Sequence, residues 1–173
     1  MPLGDSITEI TCWRALVWDQ LAAAGLADKV QYVGSQNSNP QNCKPTTANW
    51  DQHHEGHSGW LAINIANNYL TNWLKSTPAD IVMFMLGTND VFQGKSVNDI
   101  IASYTKMVGI MRAANPKTKI IVGHSILNVP SQPPSVNIFL TEAAGRPRHP
   151  PLHGLQQQHR GAQRAHPRLG QGS

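Results

Sequence analysis

No run of eighteen apolar residues occurs anywhere in the chain, which excludes a membrane-spanning helix. Cysteine is scarce. Cys12 and Cys43 are the only two in 173 residues, too few for a disulfide scaffold. They read either as one bridge of a secreted protein or as a buried helical Cys12 and an exposed loop thiol at Cys43. Acidic residues stop early: the last Asp is Asp99, and no carboxylate follows Glu142. Nothing ahead of Gly4 resembles a signal peptide. Only Met1-Pro2-Leu3 precedes it, and the expectation is a chain that starts inside its first strand, so compartment is not read from a missing leader.

Residues 143–173 have no aromatic, β-branched or acidic residue, and their only large apolar residues are three leucines. Such a segment cannot bury enough apolar surface to offset its ordering entropy. It reads as a disordered basic tail, as a basic arm for nucleic acid or membrane, or as a frameshifted stretch. The abrupt change of composition near residue 138 favours the frameshift. Domain boundaries are therefore set at 1–137 for one incomplete folded domain and 138–173 for the tail. Splitting the charge weakens a nucleic-acid role for the folded part. The whole chain carries +4, but residues 1–142 hold nine Lys and Arg against ten Asp and Glu, while the rest holds five Arg and no acid.

Before that break the pattern is regular. Trp13, Leu16, Val17, Leu21 and Ala24 recur at helical spacing, with Gly25 as a stop. Lys29 to Gly34 reads as a short strand. Residues 35–58 form a long polar loop, and loops of that length in compact domains tend to be functional. Leu61 to Leu74 resumes a helical pattern, with Ile65, Tyr69, Trp73 and Leu74 on its apolar side. Ile81 to Leu86 is continuously apolar, as in a parallel strand covered on both faces. Ser96 caps a helix carrying Val97, Ile100, Ile101, Tyr104, Met107, Val108 and Met111, closed by Asn115-Pro116. Lys119 to Gly123 is a further strand. This alternation predicts an α/β three-layer sandwich, a parallel sheet with helices on both faces. Ligands in such sheets bind beyond the carboxyl ends of the strands, where Ser6, Gly34, Gly87 and His124 fall.

Gly4-Asp5-Ser6-Ile7-Thr8 places a serine on a tight turn between a strand and a helix, the exposed position a nucleophile needs. Helix-start amides there favour developing negative charge. Alone, the motif is as readily a helix cap. Two further segments come later in order: His54-Glu55-Gly56-His57-Ser58-Gly59-Trp60 and Gly87-Thr88-Asn89-Asp90. Together the three blocks resemble the SGNH, or GDSL-type, ester hydrolases over roughly residues 1–137. The wording is most similar to secreted fungal enzymes related to the acetyl xylan esterases of carbohydrate esterase family 3.

The resemblance implies a flavodoxin-like SGNH fold, with the last helix and strand missing here. It implies Ser6 as nucleophile and an oxyanion hole from the Ser6 and Gly59 N–H groups and the Asn89 side chain. It also implies a secreted monomer acting on a small-molecule or polysaccharide ester, with no cofactor, metal, nucleic acid or membrane partner. The family's fourth element, an Asp-x-x-His near the C-terminus that supplies the base, has no match. His149, His153, His159 and His166 have no acidic partner. Asp51-Gln52-His53-His54 spells the motif but lies upstream of Gly59, and His124 is a second weak substitute. His53, His54 and His57 with Asp51 also suggest a metal site, at a spacing that matches no strong zinc pattern. The expectation is a nearly inactive hydrolase. The alternative is a non-catalytic carbohydrate-binding remnant in which Trp50 or Trp60 stacks on sugars.

Overall fold

The computed structural model describes residues 1–123 and the backbone of a two-residue strand, Phe139–Leu140. His124, the tail histidines and the rest of the 138–173 segment lie outside the described residues.

Four short strands run parallel: β1 (Pro2–Gly4), β2 (Glu55–Gly56), β3 (Ile81–Met85) and β4 (Lys119–Val122). Their order is β2-β1-β3-β4, and β5 (Phe139–Leu140) pairs antiparallel with β4. The chain leaves β1 for β2 on one side and later returns to β3 on the other. The order therefore reverses at β1, and the crevice beyond its carboxyl end is the switch point where such sheets bind ligands. Side chains alternate between the faces. Leu3, Val82, Phe84 and Ile120 enter the main core with Ile65, Leu70, Leu74, Met107 and Met111 from the helices. Pro2, Met83 and Ile121 look the other way. They line a cavity of about 490 Å³ shared with Trp13, Val17 and Leu21 of α2 (Trp13–Ala23).

The strand expected at Lys29–Gly34 does not form. A short 3-10 turn covers Ala27–Lys29, and the chain after it pairs with no strand. The slot beside β1 belongs to Glu55–Gly56, in register with Leu3 and Gly4. The apolar alternation in this stretch has another cause. Tyr32 is buried and Val33 packs on the core, so the side chains are sorted by burial without a ladder. Only beyond Gly34 does a single antiparallel bridge join Gln36 to His54.

The helix expected over 61–74 is interrupted. α3 (Ala62–Asn64) passes through a π-helical turn at Ile65–Tyr69 into α4 (Leu70–Ser76). The wider turn rotates the residues beyond it about the helix axis. Ile65, Leu70 and Leu74 stay buried, whereas Tyr69, expected on the apolar side, is 39% exposed. α6 (Val97–Ala114) forms as predicted, with Ser96 Oγ accepting the Asp99 N–H at 3.1 Å. Its buried stripe is narrower than the sequence pattern: Ile100, Met107 and Met111 are covered, but Val97 and Ile101 face solvent. Only one side of that helix meets the sheet and α4.

Cys12 and Cys43 form a disulfide, with Cα atoms 5.3 Å apart across a separation of 31 residues. Cys12 is the residue at which α2 starts, so the bridge ties the long loop to a helix end. The Asn39 side chain brackets Cys43 on both backbone groups, at 3.0 and 2.9 Å. In the chain-entropy treatment a loop of this size contributes about 3–4 kcal/mol. Urea unfolding with and without reductant should differ by that amount, and a Cys12→Ser/Cys43→Ser variant should match the reduced protein. Coincident midpoints would show that the bridge adds nothing.

Candidate active site

Ser6 is the first residue of α1 (Ser6–Ile10), directly beyond the carboxyl end of β1. The turn is set by Asp5, which is 1% exposed and accepts the Ile7 N–H at 2.9 Å. Burial pushes the Asp5 carboxyl above its ordinary pKa. Backbone hydrogen bonds from Ile7 and its own residue oppose this, and nearby Asp90 adds to the rise. Ser6 itself is half-buried at the rim.

The second block is stitched to the first along the strand edge. The His57 N–H donates to the Gly4 carbonyl at 2.9 Å, extending the β1–β2 pairing by one bond. Gly56 makes a close approach possible. A Cβ there would stand 2.7 Å from the Glu9 nitrogen, so any larger residue would push α1 off the sheet. The chain then turns outward through Ser58 and Gly59, both exposed. Gly59 has φ +81°, the left-handed region, and no heavy atom lies within 4 Å of where its Cβ would be. Its glycine requirement is conformational and not steric.

The third block closes the site. α5 (Thr88–Phe92) starts after β3, and its Asn89 Nδ2 group donates to the Trp60 carbonyl at 3.0 Å and to Asp5 Oδ2 at 3.4 Å. One amide thus touches both the residue before Ser6 and the residue after Gly59. Next to it, fully buried Asp90 accepts the Ala62 N–H at 2.8 Å and the Ile63 N–H at 3.3 Å. It satisfies the opening amides of the helix after the second block. The predicted trio of Ser6, Gly59 and Asn89 therefore belongs to segments bonded to one another at the switch point.

The histidines behave differently from the expectation built on Asp51-x-x-His54. Asp51 pairs with His53, at 2.6 Å, and not with His54. His54 is wholly buried; its Nδ1 accepts the Gly56 N–H at 3.0 Å, which leaves Nε2–H to donate to the Ser38 carbonyl at 3.2 Å. Burial, then the Arg14 guanidinium, lower its pKa to about 4, so it is neutral with both nitrogens committed. It is a structural imidazole. His57 Nε2 lies 2.7 Å from Glu55 Oε1, and its ring stacks against both Trp60 and Trp73, at 4.5 and 4.6 Å. Glu55 also accepts from the Ser35 N–H and Oγ–H. Its burial would raise its pKa, but His57 and Ser35 outweigh that and hold it below the ordinary value. Among the described residues, no group of three or more His, Cys, Asp or Glu side chains is placed to hold a metal.

Trp60 is half-buried in that ring stack with Tyr69 and Trp73, and Trp50 lies under the Arg14 guanidinium at 5.7 Å. Both candidate sugar platforms already have protein partners. Sequence reasoning missed Glu9, Arg14, Ser58 and Asp90, which hold the blocks in place. Glu9 and Asp90 sit inside the quoted motifs or beside them, each close to a named residue, so their positions were a signal. Arg14 had none, because a helical arginine is ordinarily read as solvated.

A model of the GDSL-like lipase/acylhydrolase family matches residues 3–168. Among solved structures, an acetyl esterase determined as a serine-to-alanine mutant with acetate ion is 54% identical, with a TM-score of 0.68. A carbohydrate esterase family 3 protein from Talaromyces cellulolyticus is 55% identical, with a TM-score of 0.67. In both matches 70% of this chain and 59% of the other are covered. A family 3 carbohydrate esterase from Clostridium thermocellum is 31% identical, with a TM-score of 0.58, and covers 70% of this chain and 58% of that one. The chain thus spans less than two-thirds of the length of these relatives. No curated protein matches it.

Proposed function

Because this chain belongs to the GDSL-like lipase/acylhydrolase family, we propose that it is a serine ester hydrolase that removes acetyl groups from carbohydrate esters. The Ser6 hydroxyl attacks the ester carbonyl carbon, and the C=O becomes a tetrahedral alkoxide. Collapse of that intermediate expels the sugar oxygen, which takes up a proton, and leaves an acetyl group on Ser6. Water then attacks the acetyl-enzyme and releases acetate. The Ser6 and Gly59 N–H groups and the Asn89 side-chain amide stabilise the alkoxide.

The observation that carries this assignment is the position of Asn89 Nδ2. One of its N–H groups is well bonded to Trp60, while the other reaches Asp5 only at 3.4 Å. A contact that long is weak, so this second donor is available to an oxyanion forming over Ser6. The acetyl and carbohydrate specificity rests on the relatives, one an acetyl esterase solved with acetate and two family 3 carbohydrate esterases. The disulfide fits an oxidising, extracellular setting. None of the described helices is long and apolar enough to cross a membrane.

Attack needs a base for the Ser6 proton, and His54 is committed elsewhere. On this reading the chain is a slow hydrolase, since no base for Ser6 stands free among the described residues. Serine hydrolases stripped of triad members retain about 10³–10⁴ over water from the oxyanion hole and binding. Turnover of p-nitrophenyl acetate at high protein concentration should be slow but above buffer, and should fall about 10²–10³-fold, toward buffer level, in Asn89→Ala, which removes an oxyanion donor. Equal rates in the two proteins would overturn the assignment. Fast Ser6-dependent turnover would instead reveal a base within this chain.

A further inference from the structure

We infer that Glu9 is a positioning residue for the Gly59 amide: its carboxylate grips Ser58 on two sides and so fixes the peptide that presents the oxyanion donor. This rests on the role proposed for Gly59 above. Glu9 Oε2 accepts the Ser58 N–H at 2.8 Å and the Ser58 Oγ–H at 2.5 Å. The next residue is the one most in need of such a hold. Gly59 is exposed, has the backbone freedom of glycine and meets no neighbour on its Cβ side. The peptide joining Ser58 to Gly59 rotates by opposed changes in ψ of Ser58 and φ of Gly59. Anchoring the nitrogen and the side chain of Ser58 fixes one end of that peptide, and the turn bond from the Trp60 N–H to the His57 carbonyl, at 3.2 Å, holds the other.

Glu9 is itself held. Its N–H donates to the Asp5 carbonyl at 3.0 Å, and its carbonyl accepts from Arg14 Nη2 at 3.0 Å. Ser6 and Glu9 are three residues apart on α1, on neighbouring turns. One rigid turn of helix therefore carries the nucleophile at its start and the grip on the donor loop at its far side. The spacing between the attacking oxygen and the Gly59 N–H is then set by helix geometry, not by the loop. Burial raises the Glu9 pKa, but the Ser58 hydrogen bonds and nearby His54 and His57 outweigh it. The carboxylate is ionised at neutral pH and accepts both bonds.

Amide NMR and kinetics on the intact chain test this together. In Glu9→Ala the Ser58 and Gly59 amide signals should shift and broaden while core amides such as Phe84 stay put. Glu9→Gln keeps an acceptor oxygen and should restore most of the parent spectrum. With p-nitrophenyl acetate, Glu9→Ala should lose about 10-fold in kcat with KM nearly unchanged, a part of the ~10²–10³ that loss of a donor costs. Glu9→Gln should recover most of that loss. Ser58→Ala should be intermediate, and adding it to Glu9→Ala should cost nothing further. An undisturbed Gly59 signal in Glu9→Ala overturns the inference, whatever the rates. A disturbed signal alongside turnover that Asn89→Ala leaves unchanged keeps the grip and overturns the esterase assignment instead.

Discussion

Replacing residues 124–173 with the corresponding segment of the 54%-identical acetyl esterase is expected to raise Ser6-dependent p-nitrophenyl acetate turnover by about 10³-fold or more. On the mechanism proposed above, the gain comes from a base for Ser6, which the described residues do not supply. Its hydroxyl is a weak nucleophile until an adjacent group takes its proton. Every histidine of the described residues is otherwise engaged: His53 with Asp51, His54 with Gly56 and Ser38, His57 with Glu55. The family places its base in an Asp-x-x-His segment late in the chain. A hybrid that brings this segment over Ser6 needs no change to Gly59 or Asn89. Replacing the grafted histidine by alanine should return the rate to that of the parent. A hybrid that folds and gains nothing would show that lack of a base is not what limits this chain.

The second large effect concerns Arg14. Its guanidinium is 1% exposed and has no carboxylate partner among the described residues; it donates instead to four main-chain carbonyls. Two of these, Thr8 at 2.9 Å and Glu9 at 3.0 Å, are late carbonyls of α1. The others, Ser38 at 2.9 Å and Gln52 at 2.7 Å, belong to opposite limbs of the long loop. Burial lowers its pKa, yet an arginine stays charged in a protein. The side chain thus satisfies a helix end and closes the loop with a single planar group. Arg14→Ala would orphan one buried and three half-buried acceptors, each worth about 1–3 kcal/mol if no water enters. A loss of about 4–5 kcal/mol is expected from urea unfolding, a large share of the ~5–15 kcal/mol typical of a domain. Arg14→Lys should not rescue it, because one ammonium cannot reach four diverging carbonyls. A loss below about 1 kcal/mol would show that solvent replaces the guanidinium easily.

Elements that bury a continuous face were readable in the sequence. β3, β4 and α6 announce themselves through Ile81 to Met85, Lys119 to Val122, and the Ser96 cap with its Met107 and Met111 stripe. The segment at 30–33 misled because Tyr32 and Val33 are buried without a partner strand. Burial makes the same pattern as pairing. β2 escaped notice because two residues, Glu55 and Gly56, carry no alternation and no apolar side chain. The three blocks were legible as the parts of a site, since Ser6, Gly59 and Asn89 each come after a strand or turn signal. What joins them was not. Glu9 to Ser58 spans 49 positions, Asp90 to Ala62 spans 28, and Arg14 to Gln52 spans 38. Nothing local in a chain encodes a hydrogen bond across such intervals; only the assembled sheet brings the partners into range.

The empty space beside Gly59 has one more consequence. An L-residue at φ +81° strains the backbone even where nothing obstructs its side chain, whereas a D-residue has its ordinary backbone minimum at positive φ. Position 59 thus discriminates by handedness and not by bulk. A semisynthetic protein bearing D-alanine at that point would keep its amide where glycine holds it, while the L-isomer would turn it aside.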